Sequence, residues 1–140
     1  MGAWTPGDGD LRQALETILR IGLRPAKLAE APDTFVIALA LGPDPGWETN
    51  LARAIAVEER LLALLIEVFG SGQAGMAIRF LLGACPESRS LPLKTRRRMA
   101  AEELELQVAT FLKNYEDDLL EDIVVEILRR SGTHVSDVAV

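Results

Sequence analysis

A chain of 140 residues with 49% apolar content fits one domain and carries enough apolar surface for its own core. Its single Cys excludes an internal disulfide and a four-cysteine zinc site, and its single His excludes metal motifs that need two. Fifteen Lys and Arg against twenty-one Asp and Glu leave a net charge of -6, which disfavours non-specific nucleic-acid binding.

Residues 1–9 are rich in Gly, Pro and Asp and are expected to be flexible. Asp10 reads as the N-cap of a first helix over 11–21, with Leu11, Leu15, Ile18 and Leu19 on one face. Gly22 ends that helix. Pro25 opens a short one to residue 30, and Pro32 closes it. The run 34–41 can be a buried strand or a two-turn helix between Asp33 and Gly42. No second convincing strand exists to pair with it, so helix is the favoured reading. Gly42-Pro43-Asp44-Pro45-Gly46 is the strongest loop signal.

A long helix over 47–69 follows, with Leu51, Ile55, Leu62, Leu65, Ile66 and Phe69 as its apolar side. Gly70-Ser71-Gly72 breaks it, and a shorter helix runs over 73–82. After a loop holding Cys85, helices are expected over 93–104 and 108–130. Ser131-Gly132 stops the last, and 132–140 are expected to be a flexible tail. The fold class is all-α: a compact bundle of six or seven helices, one domain over 10–131. Its longest apolar run, residues 35–41, is far short of the ~20 residues that span a bilayer. No secretory leader pattern opens the sequence, so a cytoplasmic home and no membrane partner are expected.

The net charge hides a sharp pattern. Residues 1–88 hold seven basic and eleven acidic side chains. Residues 89–98 hold five basic ones (Arg89, Lys94, Arg96, Arg97, Arg98) and none acidic. Residues 99–126 hold one basic and nine acidic ones. Opposed blocks favour specific docking to another protein or to a second copy.

The same region has a helix-turn-helix-like shape. Ala100 or Ala101 supplies the small residue where helices cross, Glu105-Leu106-Gln107 the tight turn, and Phe111 the inward residue of the second helix. Leu104 and Leu106 would be the apolar pair around the turn. The pattern departs from a DNA reader at two points. Glu105 stands where the turn prefers Gly, and Glu116, Asp117, Asp118, Glu121 and Asp122 would repel phosphate. Over residues 81–120 the chain also resembles a group of uncharacterised actinobacterial all-helical proteins. The resemblance rests on Leu81, Leu82, Gly83, Pro86, Arg89, Leu91, Pro92, Leu93, Arg96, Arg97, Ala100, Ala101, Thr110, Phe111, Lys113, Glu116, Leu119 and Leu120. It departs at Ala84, Ser88 and Leu112. It implies an all-α domain of a bacterial regulatory system and no particular chemistry.

Catalytic and cofactor sites find little support. Cys85 has only His134 as a possible base, in the expected tail. Asp117 with Glu121, and Asp118 with Asp122, share helix faces at i, i+4, but no His joins them for a di-metal site. Gly70–Gly75 lacks the Lys-Ser or Lys-Thr of a phosphate loop. Trp4 and Trp47 read as lids on the core, with a contact patch as the less favoured alternative. No enzyme, cofactor or metal is therefore expected. The expected function is a non-enzymatic interaction or regulatory module. The candidate contact residues are Arg89, Lys94, Arg96, Arg97, Arg98, Lys113, Asn114, Glu116, Asp117 and Asp118. The alternative is a DNA-binding regulator, with Arg96, Arg97 and Arg98 on the backbone and Lys113 and Asn114 on bases.

Overall fold

A computed structural model describes residues 7–44 and 49–139, with side chains through 131 except that of Asp8. Among these residues the chain forms eight α-helices and no strand. They are α1 (Asp8–Ile21), α2 (Pro25–Leu28), α3 (Phe35–Leu41), α4 (Asn50–Phe69), α5 (Gln73–Leu82), α6 (Leu93–Glu103), α7 (Val108–Asn114) and α8 (Glu116–Ala139). A single 3-10 turn, Pro32–Thr34, precedes α3.

The expected compact all-α bundle is the fold observed. Trp4 and Trp47 and most of the expected flexible start lie outside the described residues. Gly7 is the N-cap of α1, so Asp10 is not the cap but stands at the third helical position. From there its carboxylate accepts from the Gly7 amide at 3.4 Å. The ambiguous run 34–41 is helical. Phe35, Ile37, Ala38 and Ala40 are buried there, and Asp33 accepts from the Thr17 hydroxyl at 2.6 Å instead of capping the helix. Thr49 caps α4, accepting from the Ala52 amide at 3.1 Å.

The core is aliphatic. Leu11, Leu15 and Ile18 of α1 meet Ile37 of α3, Leu61 and Leu65 of α4, Ile78 and Leu81 of α5, and Ile123 and Ile127 of α8. The glycine-rich stretch after α4 is a packed corner. A side chain at the buried Gly75 would overlap the Gly70 carbonyl.

Three further expectations require correction. The buried face of α4 is Ala54, Ala56, Val57, Leu61, Leu64 and Leu65, while Leu51, Ile55 and Ile66 are exposed. This helix is apolar around most of its circumference, so periodicity alone does not select the inward side. The single helix expected over 108–130 is broken at Tyr115 into α7 and α8. Phe111 and Leu120 are both buried, yet nine residues of continuous helix would turn them to opposite sides. The break lets both face the core. Finally, α8 does not stop at Ser131-Gly132 but continues to Ala139. Ser131 is buried, and Arg130 pairs with Glu67 of α4 at 3.2 Å, which holds this part of α8 against the body.

Candidate functional site

The basic residues 89–98 span the last part of the loop and the first half of α6. Pro92 caps α6, whose inward side is Arg96, Ala100 and Ala101. Arg96 lies one turn before Ala100, so it shares the buried face. It is only 1% exposed. Its guanidinium donates through Nε to Leu91 O at 3.0 Å, through Nη1 to Leu81 O, and through Nη2 to Leu19 O at 2.7 Å and Arg20 O at 3.2 Å. Leu19 and Arg20 lie in the last turn of α1, and Leu81 in that of α5. Arg96 thus sits on two helix C-termini, where unpaired carbonyls concentrate partial negative charge.

Two glycines make this meeting of helix ends possible. Gly83 lies at φ +72°, and a side chain there would touch the Cα of Gly22 at 3.4 Å and the Cδ of Arg96 at 3.5 Å. The Leu23 amide donates to Leu82 O at 2.8 Å across the same junction. Burial lowers the Arg96 pKa to about 10, with the nearby charges of Arg97 and Arg24 adding to the effect. The group therefore stays charged at neutral pH. It is a structural cation, unavailable to an outside phosphate or carboxylate.

The rest of the basic block divides. Arg97 reaches from α6 to the start of α8 and grips Glu116 with two bonds, at 2.8 and 3.0 Å. Arg89 pairs with Glu58 of α4 at 3.1 Å. Arg98 is exposed and only loosely joined to Glu102 at 3.9 Å. Lys94, Lys113 and Asn114 are exposed. On α8, Asp117 and Glu121 both bind Arg12 of α1, which also holds Glu16 at 3.1 Å. Asp118 and Asp122 face solvent. The candidate residues therefore do not form one charged face. Arg96, Arg97, Arg89, Glu116 and Asp117 hold elements together, and Lys94, Arg98, Lys113, Asn114 and Asp118 remain outward.

The turn between α6 and α7 falls where it was expected. Glu105 adopts φ +59°, a left-handed conformation. Its amide donates to Glu102 O at 3.0 Å, and the Leu106 amide donates to Ala101 O at 2.8 Å. This pair of bonds is the Schellman closure that normally uses Gly. Ala100, Ala101 and Phe111 are fully buried, and Leu104 and Leu106 are half-buried.

The outer side of α7 carries what charge patterning missed. Val108, Leu112 and Tyr115 are 36%, 40% and 43% exposed. Their spacing is i, i+4, i+7: Val108 and Leu112 lie one turn apart on α7, and Tyr115 follows at its C-cap. That spacing could have been read from the sequence, had the helix been divided at Tyr115. Ala109 and Lys113, both exposed, lie beside the strip.

Catalytic chemistry finds no footing around Cys85. The thiol is buried, and burial raises its pKa, with Glu87 adding to the rise and Arg79 opposing it. A thiol held protonated is a poor nucleophile, and the side chain of His134 lies outside the described residues. Among the described residues, no three His, Cys, Asp or Glu side chains gather to hold a metal ion, and no helix is long and apolar enough to cross a membrane.

Comparison with protein-family models, with curated proteins and with solved structures finds no match for this chain.

Proposed function

We propose that this chain is a non-enzymatic helical docking module of a bacterial regulatory system, acting in the cytoplasm. It binds another protein through the outer side of α7. The observation that carries this reading is the exposed apolar strip Val108, Leu112 and Tyr115. Apolar anchors spaced i, i+4, i+7 are how a helix enters a groove on a partner. Aromatic residues such as Tyr115 are favoured at such interfaces because they join a large apolar body to a polar tip. Lys113 on α7 and the exposed Lys94, Arg98 and Asp118 on α6 and α8 supply charge of both signs, suited to steering a partner into register.

DNA reading is the weaker alternative. It needs a positive surface, and Arg96 is buried while Arg97 is tied to Glu116. An apolar strip also occupies much of the helix surface that would read base edges.

The test compares the full chain with Leu112→Glu as bait against lysate of the native host, with Val125→Glu as a surface control. A protein retained by the parent and the control but lost with Leu112→Glu is the expected result. Retention that is indifferent to Leu112 sinks the α7 reading. A duplex mobility shift at ~50 mM salt, weakened by Lys113→Ala, would put DNA binding in its place.

A further inference from the structure

Helix α4 is apolar on two sides. One packs into the core. The other presents Leu51, Ile55 and Ile66, exposed by 39% to 50%, with half-buried Leu62 between them. This second stripe is separate from the α7 strip and plays no part in the proposal above.

The stripe matches itself in reverse. Leu51 and Ile66 stand equally far from the midpoint between Glu58 and Glu59, and so do Ile55 and Leu62. A two-fold interface requires this property: if residue i meets residue j, then j must meet i. Two α4 helices laid antiparallel satisfy it with four apolar contacts, Leu51 against Ile66 twice and Ile55 against Leu62 twice. Antiparallel packing also sets opposite ends of the two helix dipoles side by side.

The flanks favour a second copy over an unrelated helix. Glu58 and Glu59 lie on opposite edges of the stripe at its midpoint, by the 3.6-residue turn. On one edge Glu58 holds Arg89 at 3.1 Å. The two-fold brings Glu58 of the second copy to the same edge, and the Arg89 beside each Glu58 offsets the charge of the two facing carboxylates. On the other edge, Glu59 faces its own counterpart, and that contact opposes the pairing.

We infer that the protein forms a homodimer through the outer stripe of α4, paired antiparallel about an axis between Glu58 and Glu59. The full chain sediments as a dimer at high concentration and dissociates on dilution. Ile55→Glu leaves the circular dichroism spectrum unchanged and yields a monomer. Glu59→Gln removes the opposed carboxylates and tightens the dimer several-fold at low salt. In a Cys85→Ala background, Leu51→Cys and Ile66→Cys cross-link when mixed and oxidised. Leu51→Cys alone does not, because the two copies of that residue stand about 22 Å apart along the pair.

A monomer at every concentration overturns the dimer. A dimer indifferent to Ile55→Glu overturns the surface, and self-cross-linking of Leu51→Cys overturns the antiparallel register. Leu112→Glu leaves dimerisation intact, and Ile55→Glu leaves capture through α7 intact, so the two proposals fail separately.

Discussion

Arg96 shows how far residue type alone can mislead. It stands in a run of Arg96, Arg97 and Arg98 that reads as a solvated basic cluster. The three are about 100° apart around α6, so each has a different environment. Arg98 faces water, Arg97 spans to Glu116, and Arg96 enters the core. The signal was present in faint form: Leu93, Arg96, Ala100 and Leu104 follow the spacing of an inward stripe. What sequence could not supply was the set of carbonyls that satisfies the charge, because they come from the ends of α1 and α5. Replacing Arg96 with Met keeps much of the volume but leaves Leu19 O, Leu81 O and Leu91 O without this donor. An unsatisfied buried polar group costs roughly 1–3 kcal/mol, and relief of the buried charge offsets part of the sum. A net loss of about 2–4 kcal/mol is expected in urea unfolding. The pH dependence is distinctive. Arg96 has a folded pKa of about 10, below its unfolded value, so its protonation favours the unfolded state only as pH falls from the unfolded value through 10. Below that window the group is charged in both states. The stability gap between parent and Arg96→Met should therefore stay level from about pH 6 to 9. A slope there would mean that another group titrates with it.

Helices were more legible than their ends. Each helix expected from apolar spacing exists, the last of them as two, and the ambiguous run 34–41 is helical because a lone strand has nowhere to place its backbone bonds. The α7–α8 break was not legible from local signals, since Lys113-Asn114-Tyr115-Glu116 holds no Gly or Pro. It follows from the demand that Phe111 and Leu120 both reach the core. The inward side of α4 was equally hidden, since Leu51, Ile55 and Ile66 on its outer side are as apolar as the residues that pack inward. The turn after α6 was read correctly, and its one mismatch is a lever. Glu105 holds a left-handed conformation that disfavours a side chain by roughly 1–2 kcal/mol. Gly there removes that strain but adds backbone freedom to the unfolded chain. Glu105→Gly is expected to raise stability by about 0.5–1 kcal/mol, seen as a later urea midpoint with an unchanged slope. An earlier midpoint would show that the Glu105 side chain contributes more than the strain it causes.

At the scale of the molecule, the divided charge blocks turn out to be partly internal fasteners. Arg12 joins α1 to Asp117 and Glu121 of α8, Arg97 joins α6 to the first residue of α8, and Arg130 joins α8 to α4. The acidic helix is thus held by cations from two other helices, α1 and α6, which leaves less of its charge to face a partner. Two outward apolar stripes, on α7 and α4, are the more telling features of the surface. Sequence placed the first inside a longer helix and the second in the core, so the surface was the least legible part of the protein. Contact faces depend on which side of a helix the rest of the chain leaves uncovered. That is a property of the assembled bundle rather than of any single segment.

The Arg96 seat also bears on the order of folding. Its bonds to Leu19 and Arg20 bridge 77 and 76 residues of chain. They cannot form until α1, α5 and α6 have come together, and closing so long a loop is slow compared with forming a local turn. The arginine is therefore expected to lock a structure already assembled rather than to nucleate it. In stopped-flow experiments Arg96→Met should speed unfolding and leave the folding limb nearly unchanged, a φ-value near zero. A mutant that folds as slowly as its lost stability demands would instead make this buried cation an early organiser of the bundle. If the late seating holds, the native state owes its persistence in time, more than its speed of formation, to one side chain bonded to backbone at the far end of the chain.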